Sequence, residues 1–191
     1  MDTLISQRDR AKVSAAMSPE TIFVSPLSLV QTTVADARVS HLVTLINGET
    51  LIDTPPSIGR DRHLRLSMND ICEPRDGLVV PCEDHVAELI RFALDWDQQA
   101  PLLIHCWAGI SRSTAAAFIS LCALNPETDE GALARTLRGA SPTATPNSRL
   151  VALADKVLAR QGRMTAAVEK IGRGTFAEEG QVFSLSARHA A

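Results

Sequence analysis

The chain of 191 residues is long enough to form one domain with a substantial apolar core. Apolar residues make up 45% of it and charged residues 21%, which is the composition of an ordinary globular protein and excludes a disordered or fibrous one. Nineteen basic and 22 acidic residues give a net charge of −3 without a long run of like charges, so we expect no binding to nucleic acid or to a membrane surface.

Targeting and metal-binding signals are also missing from the sequence. The polar segment from Met1 to Met17 lacks the apolar stretch of a secretory signal, so we expect a cytoplasmic protein. The cysteines form no CxxC pair and no zinc-type Cys/His spacing, so we expect reduced thiols and neither a metal nor another cofactor. Cys72 and Cys82 are interpreted as ordinary thiols, with a reversible disulfide to Cys106 as the alternative.

Apolar runs and turn residues predict strands and helices in alternation along the chain. Short strands are expected at residues 21–24, 41–46, 63–66 and 102–104. Helices are expected at residues 28–37, 83–96 and 111–124, from a cap at Thr128 to about Gly139, and from a cap at Asn147 or Ser148 onward. The alternation predicts a single-domain α/β fold with a central, mostly parallel sheet of four to five strands and helices on both faces.

The signals weaken toward both ends of the chain. We therefore predict an N-terminal extension at residues 1–20, a folded domain at residues 21–161, and a weakly determined C-terminal extension at residues 162–191.

The segment from His105 to Thr114 carries the clearest chemical pattern. It joins a predicted buried strand to a predicted buried helix, and ligands of parallel sheets bind beyond the carboxyl ends of the strands. A tight loop here can turn backbone N–H groups inward, and the next helix adds its unpaired amides and positive dipole end. The loop residues are therefore predicted to bind phosphate: Trp107, Ala108, Gly109, Ile110, Ser111 and Arg112.

Side chains of the same segment supply the predicted chemistry. Cys106 lies at the rim of the loop, where the amide dipoles and the Arg112 guanidinium favour a nucleophilic thiolate. Arg112 offers planar paired donors that match two phosphoryl oxygens. Ser113 is expected to donate a hydrogen bond to the departing thiolate, and His105 to orient the loop from behind. Trp107 either lines the mouth of the pocket or packs against its neighbours.

These residues resemble the signature of the cysteine-based protein tyrosine phosphatases: His-Cys, five residues, Arg, then Ser or Thr. The form Ala-Gly-Ile-Ser-Arg-Ser-Thr at residues 108–114 resembles the dual-specificity branch in particular, and Pro146-Asn147 is similar to the Pro-Asn that opens a late helix there. The resemblance implies a phosphatase fold and a hydrolase that acts without metal, through a phosphocysteine intermediate on Cys106. The implied substrate is a phosphorylated protein or a small phosphate ester.

The resemblance also implies an aspartic acid that protonates the leaving oxygen from a separate loop. Asp70 directly follows the predicted strand at 63–66, where dual-specificity enzymes carry this acid, and it is the preferred candidate. Asp76 is the reserve candidate, and Asp84 is interpreted as a helix-start residue. The alternative role for Asp70 is that of a loop-capping carboxylate.

Two departures from the family pattern bear on the substrate. The chain contains no tyrosine, so the tyrosine-based phosphotyrosine-recognition loop of larger members is absent. Positions 107, 108 and 110 hold no lysine, which disfavours a highly charged inositol phosphate. The alternatives left open are a phosphatase of a small-molecule or inositol phosphate, a rhodanese-like sulfurtransferase or arsenate reductase, and a non-catalytic phosphopeptide-binding module.

Overall fold

The computed structural model describes residues 18–50 and 52–189, so most of the predicted N-terminal extension lies outside the described residues. The strands are β1 (Thr21–Pro26), β2 (His41–Ile46), β3 (His63–Ser67), β4 (Leu102–Cys106) and β5 (Phe183–Ser186). The α-helices are α1 (Val30–Ala37), α2 (Glu83–Asp95), α3 (Arg112–Leu124), α4 (Glu130–Ala140), α5 (Ser148–Val157) and α6 (Arg163–Ile171). Single turns of 3₁₀ helix at Leu27–Leu29 and Arg60–Arg62 precede α1 and β3.

The five strands form one sheet in the order β3-β2-β4-β1-β5. The first four strands are parallel, and β5 adds to the edge antiparallel to β1. The predicted single-domain α/β fold with a mostly parallel sheet is thereby confirmed. Because β1 and β4 are parallel and in register, with Pro26 opposite Cys106, the signature segment emerges at the same edge as the ends of its neighbours.

Apolar side chains cover both faces of the sheet because successive residues of each strand point to opposite sides. On one face, Phe23, Leu42 and Leu103 pack with α1 in a small cluster. On the other face, Ile22, Val24 and their strand neighbours join a larger cluster that includes helices α2 to α6. Helix α3 is at its centre and is buried at every residue from Arg112 to Cys122, which is why its sequence is apolar on nearly every side.

The helix caps differ in one case from the sequence prediction. Helix α4 is capped by Asp129 and not by Thr128, because the Asp129 carboxylate accepts a hydrogen bond of 2.7 Å from the Ala132 N–H. For α5 the structure selects Asn147, whose side-chain oxygen accepts from the Leu150 N–H at 3.1 Å.

The described residues after 162 contribute to the same core as the rest of the chain. Helix α6 buries Met164 and Ala167 in the larger cluster, and β5 buries Leu185 there. The sequence signal was weak because α6 spans only nine residues and β5 only four, so neither builds a clear apolar period. Among the described residues, no helix is both long and apolar enough to cross a lipid bilayer.

Candidate active site

The loop between β4 and α3, residues 106–112, is called the signature loop. Gly109 has φ of +72°, and a Cβ atom there would lie 2.7 Å from the Pro26 nitrogen and 2.9 Å from the Ser25 carbonyl carbon. Only glycine fits this position, because a side chain would meet the backbone at the end of β1 and would also strain the left-handed conformation.

The carbonyl groups of the signature loop point away from its interior. The Trp107 carbonyl accepts a hydrogen bond from the Leu27 N–H at 3.0 Å, the Ala108 carbonyl from Gly180 at 2.8 Å, and the Ile110 carbonyl from Thr145 at 2.9 Å. Since three different segments hold these carbonyls outside, the N–H groups between them are available to the interior of the loop. The backbone therefore provides the donors that an anion needs.

Cys106 and Ser113 lie at the two ends of the loop. Cys106 is the last residue of β4 and Ser113 lies in the first turn of α3, and both are buried. The Cys106 Sγ lies 3.2 Å from the Ser113 Oγ. The hydroxyl is therefore placed to donate a hydrogen bond to the sulfur in its thiolate form.

The Arg112 guanidinium uses one nitrogen to bind the backbone and keeps another without a hydrogen-bond partner among the described residues. Its side chain is buried, and Nη1 donates to the Met68 carbonyl oxygen at 2.7 Å. Within the described residues, the buried Nε of Arg112 finds no hydrogen-bond partner and lies 4.0 Å from the Asp70 Oδ2. A buried charged donor without a partner costs about 1–3 kcal/mol or more, which a bound oxyanion would recover.

Asp70 lies on the loop after β3, across from Arg112. Its Oδ1 accepts two hydrogen bonds of 2.8 Å, one from the Ser111 Oγ and one from the Asn147 Nδ2. The side chain remains about one-third exposed, with 37% relative accessibility. Two donors from different elements thus fix one carboxylate oxygen and leave the other toward the guanidinium.

The other two aspartate candidates lie elsewhere. Asp76 is exposed on the loop between β3 and α2 and does not line the cavity described below. Asp84 lies in the first turn of α2, as expected.

His105 lies beneath the signature loop and is completely buried. Its Nε2 is 2.7 Å from the Thr44 Oγ1, which is 2.8 Å from the His63 Nε2, and its Nδ1 is 3.3 Å from the Cys106 carbonyl oxygen. Burial lowers the pKa of His105 to about 4, with a smaller raising effect from the Cys106 carbonyl and a lowering effect from Arg112. His105 is therefore neutral at pH 7 and acts as a hydrogen-bonding support for β4 and the loop.

An open cavity of about 390 Å³ unites most of these groups. Its lining residues are Asp70, Cys106, Trp107, Ala108, Ile110, Ser111, Arg112, Ala177 and Glu178. Trp107 lines this cavity and is 58% exposed, so it lies at the mouth. Gly109, Ser113 and His105 support the loop from outside the cavity lining.

Comparison with known proteins rests on structure alone, because no family model and no curated protein sequence matches the chain. The fold is similar to that of DUSP15, with a TM-score of 0.57 and 18% identity over 86% of this chain and 97% of that one. It is also similar to human DUSP28, with a TM-score of 0.56 and 16% identity over 76% and 93%. A third similar structure is PTPMT1 in complex with PI(5)P, with a TM-score of 0.55 and 17% identity over 74% and 95%. The chain has the dual-specificity phosphatase fold.

Two features of this phosphatase fold were not identified from the sequence. Asn147 was predicted as a helix cap, and it performs that role with its side-chain oxygen while its amide nitrogen also contacts Asp70. The second feature is the segment 172–182 between α6 and β5, called the strap, which supplies Ala177 and Glu178 to the cavity. Its sequence has no periodic pattern, so no sequence signal linked it to the site.

The remaining cysteines do not line the cavity. Cys72 is exposed with its Sγ 3.2 Å from the Ser148 Oγ, and Cys82 contacts His85 at the start of α2. Cys122 is buried in α3, and burial raises the pKa of its thiol to about 12, as for a core residue. No group of three or more potential ligands in the described part of the chain is arranged to hold a metal ion.

Proposed function

We propose that the chain is a cysteine-dependent phosphatase that hydrolyses phosphate monoesters of the protein tyrosine or dual-specificity type. The observation that carries the proposal is the meeting of Cys106, Arg112 and Asp70 in one open cavity, although Asp70 comes from a separate loop. The Arg112 Nε, which has no hydrogen-bond partner among the described residues, and the backbone N–H groups of the signature loop, whose carbonyls are held outward, supply donors for the phosphoryl oxygens. The substrate is a phosphorylated protein or a small phosphate ester.

In the first step, the Cys106 thiolate attacks the phosphorus of the bound monoester. An S–P bond forms while the P–O bond to the leaving group breaks, and protonated Asp70 gives its proton to the departing oxygen. Arg112 and the loop amides stabilise the charge on the equatorial oxygens through this step.

In the second step, water attacks the phosphocysteine and Asp70 accepts a proton from it. The P–S bond breaks and inorganic phosphate is formed. The Ser113 hydroxyl, 3.2 Å from the sulfur, donates a hydrogen bond to the thiolate that leaves. Ser111 and Asn147 hold Asp70 in position for both proton transfers.

The direct test is hydrolysis of p-nitrophenyl phosphate by the wild type and by Cys106→Ser. We expect turnover in the wild type and a loss of at least about 10³-fold in the variant, because a serine hydroxyl stays protonated where a cysteine ionises. Cys72→Ser is the matched control, since Cys72 is exposed and does not line the cavity. Undiminished hydrolysis by Cys106→Ser would rule out the proposed mechanism.

Assays of the same two proteins with thiosulfate, arsenate and a phosphopeptide separate the alternative functions. A sulfurtransferase or arsenate reductase would turn over thiosulfate or arsenate and leave the phosphate ester intact. A non-catalytic module would bind phosphopeptide with equal affinity in the wild type and in Cys106→Ser, and would release no phosphate.

A further inference from the structure

The strap lies beside the signature loop and is fixed at both of its ends. On the side near α6, Arg138 donates to the carbonyl oxygens of Ile171 and Gly172 at 3.0 and 2.9 Å. On the side near β5, the Gly180 N–H donates to the Ala108 carbonyl at 2.8 Å. A segment held this way at both ends keeps its central residues at a defined place.

Two further hydrogen bonds bring the middle of the strap to the cavity. The Gly174 N–H donates to the Thr145 Oγ1 at 3.1 Å, and the Thr175 N–H donates to the Pro142 carbonyl at 2.9 Å. Residues 176–179 therefore span the short distance between Thr175 and the contact at Gly180. Within this span, Ala177 and Glu178 form a wall of the cavity.

Once a phosphate is bound, the cavity lining contains one more charged side chain than the proposed mechanism uses. The lining contains three charged side chains, which are Arg112, Asp70 and Glu178. The proposed mechanism uses Arg112 for the phosphoryl oxygens and Asp70 for the proton. Glu178 is exposed, and among the described residues no side chain pairs with its carboxylate, whereas the adjacent Glu179 accepts a hydrogen bond from Ser28. Glu178 therefore adds to the cavity lining a negative charge that neither a described partner nor the proposed mechanism uses.

We propose that Glu178 makes this site selective for phosphate monoesters that carry a cationic group close to the phosphate. A cation beside the phosphoryl group would meet the carboxylate, and the exposed face of Trp107 at the same mouth favours a cation as well. A second anionic group at that place would be repelled. The proposal rests on the proposed function of the site and adds its substrate class.

The test compares kcat/KM for matched phosphotyrosine peptides with lysine or with glutamate beside the phosphorylated residue. At low salt the wild type should favour the lysine peptide by about five-fold, as expected for one partly exposed charge pair. The preference should nearly vanish in Glu178→Gln, reverse in Glu178→Lys, and shrink in high salt. Phosphoethanolamine against glycerol 3-phosphate tests the same chemistry without a peptide.

Glu179→Gln is the matched control, since it removes the same charge one residue away and the glutamine oxygen still accepts the Ser28 hydrogen bond. A peptide preference that is unchanged in Glu178→Gln, or equally reduced in Glu179→Gln, would overturn the proposal. Hydrolysis of p-nitrophenyl phosphate measures the proposed function separately. Peptide affinities of the Cys106→Ser variant report the selectivity even without turnover, so the two proposals fail independently.

Discussion

The signature loop and the strap both line the cavity and both lack regular structure, but different forces hold them. The loop joins β4 directly to α3, and its Gly109 packs against the backbone at the end of the neighbouring strand β1. The strap takes its shape from distant anchors, among them Arg138, Thr145 and Ala108. The comparison teaches that most of the proposed phosphate-binding residues are contiguous in sequence, while the cavity wall formed by the strap depends on anchors scattered along the chain.

The largest expected effect is the loss of turnover when Asp70, the proposed general acid, is replaced. Asp70→Asn should lower kcat for phenyl phosphate by about 10²- to 10⁴-fold, because the amide cannot donate an acidic proton to the leaving oxygen. The loss should be smaller for p-nitrophenyl phosphate, whose leaving group needs less protonation. Steady-state kinetics with both esters measures the difference.

Asp76→Asn is the control for this prediction, because Asp76 is exposed on the same loop and does not line the cavity. Its kcat should stay close to the wild-type value. A larger loss in Asp76→Asn than in Asp70→Asn would transfer the acid role to Asp76.

The sequence could predict the loop side of the site because its pattern is contiguous. A buried strand, a glycine at one fixed position and a helix start together predict an anion cradle, and the structure brings Cys106 and Arg112 to one cavity as expected. Asp70 could be preferred as well, because it lies three residues after β3, in the place that the resemblance to the dual-specificity enzymes implies for the acid. Strands β1 to β4, and the helices up to α5, followed from apolar runs and periodicity, whereas β5 was not predicted.

The sequence could not predict that the strap lines the cavity, because the contacts that place it there are long-range. Glu178 reaches the cavity only because β5 pairs with β1 and Arg138 binds carbonyl oxygens more than 30 residues further along the chain. Neither contact leaves a periodic trace in the sequence. The cap of α4 was misplaced by one residue because Thr128 and Asp129 both have suitable side-chain oxygens.

A pair of identical substitutions compares the two regions directly. Gly109→Ala should destabilise the fold by about 2–4 kcal/mol and strongly reduce turnover, because its Cβ would meet the β1 backbone at a positive φ. Gly180→Ala should change stability by less than about 1 kcal/mol, since its Cβ would lie 3.1 Å from the Gly109 carbonyl oxygen and a slight shift of the strap relieves the contact. Urea unfolding and kcat measure both.

The two glycine variants test whether the signature loop is held more rigidly than the strap. If Gly180→Ala costs as much as Gly109→Ala, the strap is as rigidly held as the loop and its separate character is disproved. A rise in KM with unchanged kcat in Gly180→Ala would agree with a small displacement of the wall that contacts substrate.

A pH-dependent effect concerns the histidines that support the signature loop. Burial lowers the pKa of His63 to about 4, with lesser lowering by Arg65 and His105, while the unfolded value is near 6.5. Between pH 6.5 and pH 4, His63 is protonated in the unfolded chain but stays neutral in the folded one. The stability that the neutral folded state provides is therefore fully present above pH 6.5, and the free energy of unfolding falls as the pH drops toward 4. At pH 5 the loss is about 2 kcal/mol for one such histidine.

His63→Gln isolates this contribution, because the amide keeps hydrogen-bonding capacity toward Thr44 but does not titrate. The free energy of unfolding should fall by about 2 kcal/mol less in the variant than in the wild type between pH 7.5 and pH 5, as measured by urea denaturation. Equal falls in both proteins would show that His63 does not titrate in this range.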